Sequence, residues 1–209
     1  MPVIRIALAG VLALAVVVLT ATVGALGTVD TSIRNWVIDR RSPGRTPLMT
    51  ALTTVGSSPV LVTLAVGVAV WLFIARERRE ALLVVVTTAG ALVLDPLLKV
   101  LVGRARPADA HLVLVNSGAY PSGHSLHSAA VIGVLVVLAV RHLAARWARV
   151  AVVTLGVLLV LGVGVSRVYL GVHWPTDVLA GWLIGALWLA VCVLVISWTG
   201  PVRRGSPRR

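Results

Sequence analysis

Residues 166–177 read SRVYLGVHWPTD and lie between two long apolar runs. His173 and Asp177 are four residues apart, so on the first turn of a helix their side chains would share one face. A carboxylate bonded to one imidazole nitrogen fixes the tautomer and leaves the other nitrogen free to attack or to accept a proton. Arg167 adds a permanent cation whose planar fork suits phosphate oxygens. This stretch therefore predicts a reactive anion site at the junction of two apolar elements.

The bulk composition is typical of a membrane protein. The chain has 209 residues, of which 58% are hydrophobic, and its mean hydropathy is +0.99. Soluble domains are nearer about 45–50% apolar, so this chain has too little polar surface for a water-facing fold. Its net charge of +12 does not indicate a nucleic-acid partner, because the basic residues lie between apolar runs beside anionic lipid. Cys192 is the only cysteine, which excludes an intramolecular disulfide.

Six apolar runs predict an all-α integral-membrane bundle of six transmembrane helices, because one span needs about 20 apolar residues. The runs cover residues 6–26, 59–74, 81–101, 124–140, 150–165 and 176–198. The first run resembles a signal peptide but is long for one, so it is interpreted as a retained helix. A polar connector is predicted at residues 28–47, and a short interfacial helix precedes the second span. Residues 1–200 are predicted to form one domain, followed by a basic cytoplasmic tail at residues 201–209.

The basic residues are unequally distributed between the two sides of this alternation. With six spans, 11 of the 19 Lys and Arg residues lie on the side of the termini and 8 lie on the other side. The positive-inside rule then places both termini in the cytoplasm. The loops that carry His124, Arg167 and His173 are accordingly predicted to lie on the extracytoplasmic side of the plasma membrane.

Two earlier segments have the same polar character and fall on that same side. Lys99 and Arg106 flank the exit of the third span, and residues 122–124 (Ser-Gly-His) open the fourth. A helix N-terminus offers free backbone N–H groups and a positive dipole end, and Gly123 lets the backbone approach a ligand. Lys99, Arg106 and Arg167 would then supply three positive charges to a phosphate of about −2 charge. They therefore predict one shared phosphate site.

Such a site suits phosphoryl transfer, which proceeds by positioning and charge stabilisation. The reaction needs a nucleophile and an acid for the leaving oxygen, and two histidines in separate segments, His124 and His173, can divide these roles. Asp177 is committed to His173, so no carboxylate cluster remains to hold Mg²⁺. The sequence therefore predicts a reaction that needs neither a metal nor a cofactor.

The three segments together resemble a known signature. Residues 99–107 fit Lys-x6-Arg-Pro, residues 121–124 read Pro-Ser-Gly-His, and residues 166–177 fit Ser-Arg-x5-His-x3-Asp. In this order and spacing they are similar to the three-part signature of the type-2 phosphatidic acid phosphatase superfamily. That family includes membrane lipid phosphatases, soluble acid phosphatases and vanadium haloperoxidases. The motifs cover about residues 99–177, and the six-span layout extends the resemblance to most of the chain.

The resemblance implies a role for each motif residue. His173 would be the nucleophile and pass through a phosphohistidine, and Asp177 would orient its ring. His124 would protonate the leaving oxygen and later activate water. The implied phosphate-binding groups are Lys99, Arg106, Ser122, the Gly123 N–H and Arg167.

The leading hypothesis is an integral-membrane phosphatase that hydrolyses a phosphomonoester or diphosphate of a lipid, with undecaprenyl or another polyprenyl diphosphate favoured. Phosphatidic acid and phosphatidylglycerol phosphate are the alternative substrates, because apolar span residues carry no readable code for a lipid tail. A non-catalytic transporter-like protein would place its charges in mid-span, whereas here they cluster at span ends. The expected partners are the lipid phosphate and membrane lipids, and the oligomeric state stays open.

Five polar residues that do not occupy a defined motif position have less specific interpretations. His111, His127 and His142 are interpreted as interfacial residues at span ends. Asp95 is interpreted as a helix-end residue satisfied by its neighbours, although an acid in the site is the alternative. Arg104 fits a contact with the substrate and a contact with lipid headgroups equally well.

Overall fold

The computed structural model describes residues 2–198, which form eight α-helices and no strand. In chain order these are α1 (Pro2–Thr22), α2 (Gly27–Asp39), α3 (Thr46–Val55), α4 (Ser58–Ile74), α5 (Arg78–Val102), α6 (Gly123–His142), α7 (Arg146–Tyr169) and α8 (Pro175–Trp198). The prediction of an all-α fold is confirmed. The predicted basic tail at residues 201–209 lies outside the described residues.

Four of these helices, α5 to α8, are long and apolar enough to cross a membrane. Two pairs qualify only when their members are joined: α1 with α2, which bend by 93°, and α3 with α4, which bend by 45°. The described chain therefore has four spans by length and composition, or up to six if each bent pair counts as one. The third to sixth predicted spans are confirmed. The first two correspond to α1 and α4, each of which qualifies as a span only together with the helix joined to it by a bend, so the prediction of six spans is confirmed only for four.

The polar connector predicted at residues 28–47 is largely the helix α2. Two charged side chains of this helix, Asp30 and Arg34, are 0% and 4% exposed. Asp30 accepts a hydrogen bond from Arg104 at 2.6 Å, and Arg34 donates to the Asp109 carboxylate at 2.7 Å. Both buried charges are therefore paired with an oppositely charged side chain. These two ion pairs connect α2 to the loop that follows α5.

The helix α6 is the centre of the bundle and packs against α4, α5, α7 and α8. Two glycines of α8 allow its closest approach. A Cβ on Gly181 would lie 2.6 Å from the Ser122 carbonyl oxygen, and one on Gly185 would lie 2.5 Å from that of Leu126. Small residues let helix backbones approach closely in this way. The first turns of α6 and α8 consequently adjoin, and the Ser122 N–H donates to the Asp177 carbonyl at 2.9 Å.

The loop between α5 and α6, residues 103–122, folds back over the turn between α7 and α8. Gly103 ends α5 in the left-handed region with φ of 62°, and its N–H donates to the Lys99 carbonyl. Further along the loop, the Leu112 N–H donates to the Leu170 carbonyl at 3.0 Å. This fold-back brings two of the three motif segments together.

Candidate active site

A cavity of about 180 Å³ lies where the ends of α5 and α7 meet the beginnings of α4 and α6. Its lining residues are Ser58, Asp95, Lys99, Arg106, Val115, Asn116, Ser117, Gly123, His124, His127, Arg167 and His173. Six of the eight site residues predicted from the sequence are in this set. The other two, Ser122 and Asp177, are fully buried behind the cavity wall.

His173 lies in the turn between α7 and α8 and is 2% exposed. The Arg106 Nη1 lies 3.0 Å from its Nε2. Because a guanidinium can only donate, Nε2 must carry the lone pair, which places the proton of the neutral ring on Nδ1. Burial, together with the neighbouring cations Arg106, Arg167 and Lys99, holds the pKa of His173 well below its usual range. The ring is therefore uncharged at neutral pH, as a nucleophile must be.

Asp177 lies directly behind His173 in the first turn of α8. Its Oδ2 is 3.5 Å from the His173 Nδ1 and accepts the Trp174 N–H at 2.9 Å. Among the described residues the Nδ1 makes no hydrogen bond of good geometry, although a backbone group of Ala119 also interacts with the ring. Catalytic hydrogen bonds are often long in unliganded sites, and a shortening of roughly 0.5 Å brings this pair into the usual range. The spacing of four residues thus produces the contact that the sequence implies, in a resting form.

Three cations converge on the cavity, each held in a different way. Lys99 Nζ pairs with Asp95 Oδ2 at 2.7 Å. Arg106 is anchored by loop carbonyls, including that of Ser117 at 2.7 Å. Arg167 donates from Nη1 to Thr53 at 2.5 Å, while its buried Nε has no partner among the described residues. The cavity therefore presents positive charge, which an anion such as phosphate requires.

The beginning of α6 supplies the remaining predicted groups. A Cβ on Gly123 would lie 2.8 Å from Asp95 Oδ2, so only glycine fits here without displacing that carboxylate. His124 lines the cavity. Ser122 is arranged differently, because its Oγ accepts a hydrogen bond from Ser125 at 3.1 Å and its side chain does not line the cavity. A phosphate contact from Ser122 stays a prediction.

Six of the residues that line the cavity were not among the predicted site residues, and two of these six, Asp95 and His127, are ionisable. Asp95 pairs through Oδ2 with its neighbour Lys99, and the spacing of four residues could have indicated this pair. Asp95 also borders the site, and its buried Oδ1 has no hydrogen-bond partner among the described residues. The interfacial interpretation of His127 is wrong: its ring is 5% exposed, and Nδ1 lies 2.8 Å from the Ser58 Oγ. It follows His124 by three residues on one helix face, a spacing that could have placed both in one site.

The remaining residues to which the sequence assigned no specific role, His111, His142 and Arg104, do not line the cavity. His142 pairs with Glu80 at 2.8 Å near the beginning of α5, and its side chain is 57% exposed. His111 is exposed in the loop after α5, where its Nε2 lies 2.7 Å from the Pro107 carbonyl oxygen. The half-buried side chain of Arg104 lies between two buried carboxylates.

Comparison with known proteins places the chain in a family. Residues 80–201 match the family model described as PAP2 superfamily. The match covers more than half of the sequence, and the chain belongs to this superfamily. The resemblance drawn from the three motifs is thereby confirmed.

Individual relatives extend the likeness to most of the chain. It is 36% identical over 165 residues to phosphatidylglycerophosphatase B from Bacillus subtilis (strain 168), covering 78% of this chain and 81% of that protein. It is 32% identical over 146 residues to an undecaprenyl-diphosphatase from Sulfolobus acidocaldarius, covering 65% and 64%. The crystal structure of a transmembrane PAP2-type phosphatidylglycerolphosphate phosphatase from Bacillus subtilis aligns with a TM-score of 0.87 at 31% identity, covering 93% of this chain and 98% of that one.

Proposed function

We propose, on the basis of its membership of the PAP2 superfamily, that this protein is a membrane phosphatase acting on a lipid phosphate. The observation that carries the proposal is the state of His173, whose uncharged ring presents its Nε2 lone pair to a cavity lined by Lys99, Arg106 and Arg167. A nucleophile facing concentrated positive charge is the arrangement that phosphoryl transfer requires.

The first half-reaction transfers the phosphoryl group to His173. Before substrate binds, the Arg106 Nη1 donates to the Nε2 lone pair of His173. When the phosphate enters, Arg106 donates to a phosphate oxygen instead, and the Nε2 lone pair is free to attack. The new N–P bond forms as the bond from phosphorus to the leaving oxygen breaks. His124, which takes up a proton when the negative phosphate enters the cavity, gives that proton to the leaving oxygen. The ring becomes positively charged, and the Asp177 carboxylate beside Nδ1 stabilises it.

The second half-reaction restores the enzyme. His124, now without its proton, accepts one from a water molecule that attacks phosphorus. The N–P bond breaks, the electron pair returns to Nε2, and inorganic phosphate leaves. Each atom and proton is accounted for by the two histidines, the lipid phosphate and water. The prediction that no metal takes part is retained in this scheme.

An apolar groove of about 630 Å³ between α4 and α5 supports a lipid as the substrate. Its lining includes Val62, four residues after the cavity residue Ser58, and Leu92, three residues before Asp95. These spacings put groove and cavity on the same faces of the two helices. A substrate whose phosphate occupies the cavity can therefore lay its tail along the groove.

Two substrate classes follow from the relatives. The Bacillus subtilis protein and crystal structure are named for phosphatidylglycerophosphate, and their alignments cover more of this chain than that of the undecaprenyl-diphosphatase. We place phosphatidylglycerophosphate first on this ground. Undecaprenyl diphosphate, favoured from the sequence, is the second candidate because the cavity supplies three cations for a diphosphate.

The expected result of a substrate panel is that lipid phosphates are hydrolysed with a KM at least about tenfold below that of glycerol 3-phosphate, because the groove buries the tail. Phosphate release by the purified protein in detergent would be measured for both lipids and for phosphatidic acid, with EDTA present. Ala89→Trp, at an exposed groove position, should raise KM for lipids alone. The matched control is Ala151→Trp on the exposed face of α7. Equal KM values for lipid and glycerol phosphate would contradict the proposal.

The site is further proposed to lie on the extracytoplasmic side of the plasma membrane, with both termini in the cytoplasm. The support is the excess of Lys and Arg on the side of the termini, 11 against 8. On that side of the membrane, the released phosphate would enter water outside the cell.

Cysteine labelling is expected to reveal this orientation. On a Cys192→Ser background, Leu114→Cys lies in the loop beside the cavity at 99% exposure, and Ala144→Cys lies between α6 and α7. A membrane-impermeant maleimide should label position 114 in intact cells and position 144 only after permeabilisation. Labelling of position 144 alone in intact cells would instead place the site in the cytoplasm.

A further inference from the structure

Arg104 is bound by two buried carboxylates at once. Its Nη1 lies 2.6 Å from Asp177 Oδ1, and its Nη2 lies 2.6 Å from Asp30 Oδ2. The side chain of Arg104 is 16% exposed, and those of both aspartates are 0% exposed. Arg104 is not among the cavity-lining residues, although it is only two positions from Arg106, which is. Its charge is therefore directed away from the phosphate and onto the carboxylate behind the nucleophile.

The two oxygens of Asp177 are held by different partners. Oδ1 is held by Arg104, whereas Oδ2 accepts the Trp174 N–H and faces the His173 Nδ1. A carboxylate keeps one orientation only when both of its oxygens are held. In Asp177 the Trp174 N–H holds Oδ2, and the positively charged Arg104 holds Oδ1. The direction in which Oδ2 points at His173 thus depends on that guanidinium.

Asp30 in turn fixes the guanidinium and the first turn of α8. Its Oδ1 accepts the Thr176 N–H at 2.9 Å, and its Oδ2 accepts the Thr176 hydroxyl at 2.6 Å. Arg104 Nη1 also donates to the Thr176 oxygen at 2.7 Å. Asp30 therefore contacts both Arg104 and Thr176 in the first turn of α8, although Thr176 is 146 residues away in the sequence.

An isolated buried carboxylate is strongly disfavoured, so Asp177 without Arg104 would be driven to take up a proton or to turn away. A protonated Asp177 could no longer stabilise the positive imidazole that N–P bond formation creates. Lysine would not replace arginine, because an ammonium is a point charge that cannot hold two carboxylates in a fixed planar fork.

We infer that Arg104 is a positioning residue for the reaction, which orients the ionised Asp177 carboxylate toward the Nδ1 of His173 and is itself locked by Asp30. The inference rests on the proposed function, since it assumes that His173 is the nucleophile. It assigns to Arg104 neither of the contacts that the sequence suggested, with substrate or with lipid headgroups.

The test separates an effect on chemistry from an effect on phosphate binding. Arg104→Ala is expected to lower kcat by about 10²-fold, the scale of a misplaced catalytic group, with KM and the inhibition constant of inorganic phosphate within about twofold of wild type. Added guanidinium ion should restore part of the lost kcat. Arg106→Ala, by contrast, should raise the inhibition constant of phosphate, because Arg106 lines the cavity.

Two further variants and a control complete the experiment. Arg104→Lys and Asp30→Asn retain more of the local packing and should each lower kcat by about tenfold or more. Arg41→Ala is the matched control, since Arg41 bonds the Tyr169 carbonyl at 2.7 Å near the same turn but contacts neither His173 nor Asp177. Its kcat should stay within about twofold of wild type.

Each result decides the inference. Wild-type kcat in Arg104→Ala overturns it, as does a rise in KM with unchanged kcat, which would make Arg104 a substrate contact. If Arg104→Ala does not fold, wild-type kcat in Arg104→Lys overturns it equally. A wild-type protein that hydrolyses a chromogenic phosphomonoester but no lipid would refute only the proposed substrate, and the same variants would then be compared on that compound.

Discussion

His173→Ala is expected to reduce phosphate release by about 10⁴-fold or more, the scale on which the loss of a covalent nucleophile acts. The physical reason is that the attacking Nε2, which lies 3.0 Å from the Arg106 Nη1, is removed, while the cations around the cavity remain. Single-turnover labelling with a phosphate-labelled lipid should trap an acid-labile, base-stable phosphoprotein in the wild type. The variant should show none.

A matched histidine outside the site controls for the substitution itself. His142→Ala removes a ring that pairs with Glu80 and is 57% exposed. This variant should retain wild-type turnover and labelling. Turnover near the wild-type rate in a folded His173→Ala protein would contradict the phosphohistidine mechanism, whatever the substrate.

His124→Ala is expected to slow lipid hydrolysis by about 10²–10⁴-fold, the usual contribution of general acid and base catalysis. The two half-reactions should respond differently. A nitrophenyl phosphate carries a leaving group that needs no proton, so the release of nitrophenol in the first turnover should be nearly unaffected. Dephosphorylation still needs a base, and the phosphoenzyme should therefore accumulate. Burst kinetics would measure both effects.

The neighbouring cavity histidine provides the comparison. His127 also lines the cavity, but its ring nitrogens adjoin the Ser58 hydroxyl and the Ala91 carbonyl. His127→Ala should cost less than about tenfold in kcat if its ring does not exchange protons with the substrate. An equal loss in both variants, with no accumulation of phosphoenzyme in His124→Ala, would remove the assignment of His124 as the acid.

The amino-acid sequence alone is sufficient to predict the class of fold and half of the residues that line the cavity. Runs of about 20 apolar residues are sufficient to predict membrane helices, because the bilayer leaves no other partner for the backbone. The spacing of His173 and Asp177 fixes their proximity through the helical period alone. The three motifs likewise predicted six residues that line one cavity: Lys99, Arg106, Gly123, His124, Arg167 and His173.

The polar groups outside the motifs that support the site could be identified only from contacts between distant parts of the fold. Asp30 lies in a segment that reads as a solvated connector, yet it is completely buried against Thr176 and Arg104. Local periodicity reports which face of a helix is apolar but not which distant residue will meet a charge on it. That pairing depends on the bend of 93° between α1 and α2 and on the fold-back of the loop after α5. Both are set by packing between residues far apart in the chain, so no local pattern records them.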